Sequence, residues 1–295
     1  MGSARRSASR WSPLFQFATQ RTIAGIAVVV FLVGAPYFAW SRWGKYVVRP
    51  DDYLLSGERI EINQKPSWIQ ADIKSQVVQR SQLEELTALD PKVTVKVGQA
   101  FALHPWVSKV KIVSKAAGPK IVVDLEYRQP LAMIEAPNGG FWPVDLDAVL
   151  LPIDEFSPAQ TEQFLRIAVP GTRPSGSAGV PFGDRRVNDC VKIARLFAKS
   201  WRKVGFSRIV ALQQQTSRSD PQYALAAPNG TQVVWGRAPG KERKGERSAE
   251  EKVAALVHFV GQRGPLHKLQ NGNYLDLRFP NPAAQNAQGR GGTRR

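Results

Sequence analysis

Cysteine is almost missing from this chain: Cys190 is the only one among 295 residues. No internal disulfide can form, a condition compatible with any compartment, the periplasm included. Histidine is nearly as scarce. His104, His258 and His267 are scattered, and none falls in the His-Glu-x-x-His spacing of a zinc hydrolase. Acids are short as well, 24 Asp and Glu against 41 Lys and Arg, for a formal net charge of +17. The first fifty residues hold no acid at all. No Walker phosphate loop and no Gly-x-Ser-x-Gly elbow is present. The basic residues form no single stripe and accompany no nucleic-acid motif, so nucleic acid is not an expected partner. Catalytic chemistry, cofactors and bound metals therefore have no signature here, and the chain reads as a non-enzyme.

What is present first is an uncharged run, Thr22 to Ser41 (TIAGIAVVVFLVGAPYFAWS), closed by Arg21 and Arg42. A helix crossing the hydrocarbon core needs roughly 20 apolar residues, and the run reaches that length. Trp11, Phe15, Tyr37, Trp40 and Trp43 lie around its ends, where an aromatic belt would sit. The expectation is a single N-terminal transmembrane helix over residues 22–41, bent by Pro36 without losing its span. A cleaved signal peptide, with an apolar core of only about 7–15 residues, and a buried core helix are the alternatives. Arg5, Arg6, Arg10 and Arg21 precede the run, whereas Arg42, Lys45 and Arg49 follow it. The positive-inside bias then puts the N-terminus in the cytoplasm and the body in the periplasm, with the inner-membrane bilayer as a partner. Residues 1–21, rich in Ser and Arg, read as a disordered head.

Over residues 50–130 the pattern is strand, helix, helix, strand, strand. Tyr53–Ile62 reads as the first strand. Pro66-Ser67 opens a helix to about Arg80 with Trp68, Ile69, Ile73 and Val77 on one face. Asp90-Pro91 starts a second helix that turns Val93, Val97, Ala100 and Phe101 inward and stops before Pro105. Val107–Val113 and Ile121–Tyr127 alternate as strands. Residues 131–280 read as a β-rich region with flanking helices. Ala132–Ala136, Phe141–Asp145, Val149–Pro152, Leu165–Val169 and Ser207–Leu212 are strand-like, and Tyr223–Ala226 with Gln232–Trp235 form a hairpin around Pro228-Asn229-Gly230. Val187, Cys190, Val191, Ala194, Phe197, Ala198 and Trp201 form a helical stripe. Residues 239–247 look charged and flexible. Ser248 and Glu251 match a capping box for a helix burying Val253, Leu256, Val257 and Val260. Tyr274–Phe279 is the last strand, and the tail over 281–295 reads as disordered.

Two groups of motifs carry a family resemblance. His104-Pro105-Trp106-Val107, followed by Glu126-Tyr127-Arg128-Gln129-Pro130, resembles the POTRA domain of the bacterial division proteins FtsQ and DivIB. Gln232–Arg237 (QVVWGR) and Tyr274–Phe279 (YLDLRF) resemble two strands of the β-domain that follows it there. The resemblance implies an α+β chain: a transmembrane helix, a POTRA-like βααββ domain over 50–130 and an FtsQ-type β-domain over 131–280. It implies a bitopic divisome scaffold that links cytoplasmic and periplasmic division components and regulates septal peptidoglycan synthesis through protein contacts. The partners implied are FtsB-like and FtsL-like proteins, received near Tyr274, Leu275, Asp276, Leu277, Arg278 and Phe279, with further division proteins at the POTRA domain. A membrane-anchored POTRA protein of secretion or outer-membrane assembly is the alternative.

The residues themselves suggest an edge. In Tyr274–Phe279, Leu275, Leu277 and Phe279 alternate with Tyr274, Asp276 and Arg278, as in a half-buried strand. A late strand at a sheet margin can accept a partner's strand, or be blunted by Pro280 and Pro282. Asp145, Asp147, Asp154 and Glu155 are the nearest thing to a carboxylate pair, but their setting favours turn bonding. Cys190, on an apolar stripe, reads as a core residue.

Overall fold

In the computed structural model, residues 14–47, 53–212, 220–270 and 274–279 are described. The expected tail over 281–295 and most of the expected head lie outside them. The first element is a long helix, α1 (Leu14–Val47), which contains Pro36. It runs on through Arg21 and Arg42 instead of ending at either charge. Among the described residues no helix is long and apolar enough to cross a membrane, which overturns the transmembrane helix expected over 22–41.

The rest is mixed α+β with two sheets. The first sheet is three-stranded, in the order β1 (Ile60–Ile62), β3 (Ile121–Tyr127), β2 (Val107–Lys115). β1 runs parallel to β3, and β2 antiparallel to it. Between β1 and β2 the chain forms α2 (Ile73–Arg80) and α3 (Val93–Ala102). Their apolar faces, Ile73, Val77, Val93, Val97 and Phe101, close on Ile60, Val123 and Leu125 to form one core.

Two boundaries differ from the sequence pattern. The first strand shrinks to Ile60–Ile62, because residues 57–59 take a 3-10 turn and Leu54 makes only an isolated bridge to Thr87. α2 starts at Ile73, not Ser67. Asp72 caps it by accepting from Ser75 N–H at 3.2 Å, and the segment before it is pinned elsewhere, as described below.

The second sheet has seven strands in the order β10-β9-β8-β7-β6-β4-β5. These are β4 (Pro130–Glu135), β5 (Phe141–Asp145), β6 (Leu165–Ala168), β7 (Arg208–Ala211), β8 (Tyr223–Ala226), β9 (Gln232–Gly236) and β10 (Tyr274–Asp276). The pairs β10–β9, β7–β6 and β6–β4 are parallel, the other three antiparallel. Val149–Pro152 adds no full strand, only bridges of Val149 and Leu150. A short helix, α4 (Pro158–Thr161), precedes β6. Between β6 and β7 lie α5 (Arg185–Leu196) and α6 (Trp201–Val204), and α7 (Ala249–Arg263) lies between β9 and β10. One sheet face, with Ile134, Ile167, Ile209, Leu225, Val233 and Trp235, packs on Val187, Val191, Ala194 and Leu256 of these helices.

The apolar stripe expected to run unbroken to Trp201 is split: α5 ends at Leu196, and α6 ends at Gly205, whose φ is +93°. The Ser248–Glu251 capping box is present, with Ser248 Oγ accepting from Glu251 N–H at 3.2 Å and Glu251 Oε2 from Ser248 N–H at 2.8 Å.

Candidate docking surface

β10 is the outermost strand of the large sheet. It pairs with β9 over Tyr274↔Gln232, Leu275↔Val233 and Asp276↔Val234, and no described strand lies on its other side. Such an edge leaves backbone N–H and C=O groups for a partner's strand. Beside it runs a groove of about 440 Å³ floored by Leu275, Asp276 and Leu277 and walled by Ala255, His258 and Phe259 of α7. Tyr274 and Phe279 are exposed, Leu275 half-buried and Leu277 buried.

The simple two-face alternation expected for Tyr274–Phe279 is not what the fold makes. Asp276 is as buried as Leu277, and pairing ends at Asp276. Asp276 is held by Arg278, whose backbone N–H and Nε donate to Oδ1 at 2.9 and 3.0 Å and whose Nη2 lies 2.6 Å from Oδ2. Leu277 N–H still donates to the Val234 carbonyl of β9 at 3.0 Å, and the Arg278 guanidinium stacks over the Phe279 ring, 5.4 Å from its centre.

The edge rests on a buried charged network that the sequence pattern did not suggest. Lys252 of α7 is fully buried, with Nζ 2.8 Å from Glu246 Oε1 and 5.3 Å from the centre of the Trp235 ring. Glu246 also accepts from Arg237 N–H at 2.9 Å and from its guanidinium at 3.1 Å. Burial opposes the Glu246 charge, but Lys252 and Arg237 outweigh it and hold the carboxyl below its ordinary value. Gly236 takes φ +88°, and a Cβ there would lie 2.3 Å from Glu246 Oε1 and 2.7 Å from Arg278 Cγ. Only glycine lets β9 pass this close.

Residues 239–247, expected to be flexible, are tied down: Lys241 pairs with buried Asp189 at 2.7 Å, and Arg247 N–H donates to the Arg278 carbonyl at 2.8 Å. Val257, expected in the core, is exposed. The signal for Lys252 was its spacing, four residues before Leu256 and so on the same helical face.

The motif residues of the first sheet are mostly structural. Trp106 is fully buried. Its indole Nε1 donates to Glu155 Oε1 at 2.6 Å, and Glu155 Oε2 accepts from the backbone N–H groups of Gln70 and Ala71 at 3.0 Å each. Glu155 comes from the other side of β5, so one carboxylate joins the two halves of the body and holds the 70–71 segment out of α2. Phe156 lies 6.0 Å from Trp106 between ring centres, Leu151 enters the first core, and Arg128 pairs with buried Asp145 at 2.7 Å. Pro105 and Val107 flank Trp106, with Val107 opening β2; Pro130 is buried at the start of β4, and Glu126 is exposed.

His104 is buried. Its Nδ1 accepts from Trp106 N–H at 3.3 Å, which leaves Nε2–H to donate to Gln76 Oε1 at 3.2 Å. Burial, helped by Arg80 and opposed by Glu155, lowers its pKa from the ordinary 6.5. A base with a depressed folded pKa contributes stability above its unfolded value and loses it as pH falls from 6.5 toward the folded value. The full chain is therefore expected to lose stability on acidification from pH 6.5 downward, and His104→Gln to flatten that part of the curve; denaturant titrations across that range check it.

The remaining carboxylates form no pair. Asp145 Oδ1 accepts from Asp147 and Val149 N–H at 2.8 Å each, Asp147 pairs with Arg195 at 2.5 Å, and Asp154 is exposed. Cys190 is buried, and burial pushes its thiol up. Among the described residues no group of three or more His, Cys, Asp or Glu is placed to hold a metal ion. No family model matches the chain, and no curated protein matches it.

Proposed function

We propose that this chain is a docking scaffold of the bacterial division machinery, of the FtsQ/DivIB kind, without catalysis or cofactor. The observation that carries the reading is the open β10 edge backed by the apolar α7 groove. A partner chain can add a strand to β10 and lay an apolar side chain or helix face against Ala255, Phe259 and Leu275, the combination that strand addition uses for affinity and specificity. The partners proposed are FtsB-like and FtsL-like proteins at the site of septation, and the scaffold acts on septal peptidoglycan synthesis by recruiting or restraining them. The fused body suits this role, because Glu155 and Trp106 couple the two sheets into one support.

Leu275→Asp, which puts a charge in the groove at a half-buried position, is expected to lower recovery of FtsB- and FtsL-like proteins by about tenfold or more, the scale of a lost apolar anchor. Co-purification with the full chain checks it, with circular dichroism to verify folding. Unchanged recovery from a folded variant removes β10 from the reading.

A further inference from the structure

Far along the same sheet from β10 lie two cavities of about 500 and 490 Å³ that share one wall, Phe164 and Trp201. They open where β4, β6 and β7 begin and α6 crosses them. Their charge is one-sided. Arg166 and Arg208 line the first, Lys199 and Arg202 the second, and among the described residues Glu162 is the only acid lining either.

Arg166 and Arg208 are register partners on adjacent parallel strands, and their neighbours Leu165, Ile167 and Ile209 are buried on the other face. Like charges placed side by side on a sheet destabilise it. Only part of this repulsion is met within the chain: Arg208 pairs with Glu135 at 2.8 Å, while Arg166 lies over the Phe141 ring at 5.1 Å. On the other side of the wall Arg202 lies over the Trp201 ring at 4.9 Å and donates to the Gln163 carbonyl. Lys199 is exposed. Two hollows each roomy enough for a large side chain and its backbone, an aromatic ridge between them and cations on both flanks fit a chain that offers apolar groups at intervals and carboxylates between them.

We infer that the cleft around Phe164 and Trp201 is a second docking surface, one that takes an extended acidic peptide segment of a partner protein with apolar side chains seated on either side of Trp201. It stands apart from the β10 edge and does not depend on that reading.

The test selects a displayed library of random peptides on the immobilised full chain, then measures the enriched peptides by fluorescence anisotropy against wild type, Trp201→Ala and Lys199→Glu/Arg166→Glu. The expected result is enrichment of peptides that combine Asp or Glu with Leu or aromatic residues, with affinity falling at least about tenfold in each variant, the usual size of a lost anchor, and weakening with salt. Lys199 is exposed, so Lys199→Glu alone, measured beside these variants and expected to weaken binding in the same direction, keeps the test meaningful if Trp201→Ala or the Arg166 change fails to fold. No enrichment, or peptides indifferent to all these changes, overturns the inference. Equal or tighter binding of heparin, a purely anionic polysaccharide, at the same residues overturns it in favour of a glycan surface.

Discussion

Trp106→Ala is expected to lower the unfolding free energy by about 3–5 kcal/mol, the range for removing a buried aromatic. The side chain is fully buried and sits where the first core meets the second half of the body. Its removal opens a cavity in the first core beside Phe156, and it also strips Glu155 of its shortest donor. Trp106→Phe separates the two effects. It keeps most of the apolar area and loses the indole N–H, so its cost should be about 1–3 kcal/mol, the penalty of a buried polar group left short of a partner. Denaturant unfolding followed by circular dichroism and fluorescence measures both. A further signature is expected for Trp106→Ala: the single transition splits, because the Glu155 bridge that makes the two sheets melt together is weakened. Equal costs for Ala and Phe would show that the hydrogen bond, not the packing, dominates this site.

The second large effect lies behind the proposed docking edge. Glu246→Ala should cost about 3–5 kcal/mol, because breaking a buried pair by removing one member leaves the other charge uncompensated. Lys252 is fully buried against the Trp235 ring. Its other oxygen contact, the Arg237 carbonyl at 3.5 Å, is long. The double change Glu246→Ala/Lys252→Met should recover much of the loss, since an apolar chain of similar length fills the space without a charge. Thermal or denaturant unfolding of the two variants checks this, and a double variant no better than the single one would mean that Lys252 is compensated by groups other than Glu246.

The pH dependence has a definite sign. The Glu246 carboxyl sits below its ordinary 4.5, so its contribution is complete above that value and is lost as pH falls from 4.5 through the lowered folded value. This lies below the His104 window, and the two are separable by their variants. Partner binding at β10 should follow the same acid limb, because Arg237, Glu246 and Lys252 set the end of β9 against which Arg278 folds.

How far the residues alone could take this can be seen element by element. Ile121–Tyr127 and Phe141–Asp145 are strands at the residues where alternation and turn signals bound them. Ser248 and Glu251 cap α7 as their spacing requires. These are local effects, decided within a few residues by side-chain period and by hydrogen bonds to nearby backbone. Where the pattern misled, a distant group had intervened. Residues 66–72 have helical spacing, yet Glu155 takes the Gln70 and Ala71 N–H groups and α2 begins after them. Residues 239–247 have the composition of a mobile loop, yet Asp189, Lys252 and the Arg278 carbonyl hold them. Charge-rich segments look alike in sequence whether they face water or a buried partner, because the partner is not encoded nearby.

The candidate site divides in the same way. That Tyr274–Phe279 forms a strand was legible in its β-prone residues, although only Tyr274–Asp276 pairs. Its place at a sheet edge, expected for a late strand, is where β10 lies; that it runs parallel to β9 and is grooved against α7 was not legible, because strand pairing is a long-range choice made by which hydrophobic faces close on one another. By itself the sequence determined composition, charge, the absence of catalytic and metal-binding spacings, and most of the local elements. Tertiary structure decided which strand β10 pairs with, which carboxylate joins the two sheets and which lysine is buried, since each of these depends on groups brought together only when the cores close.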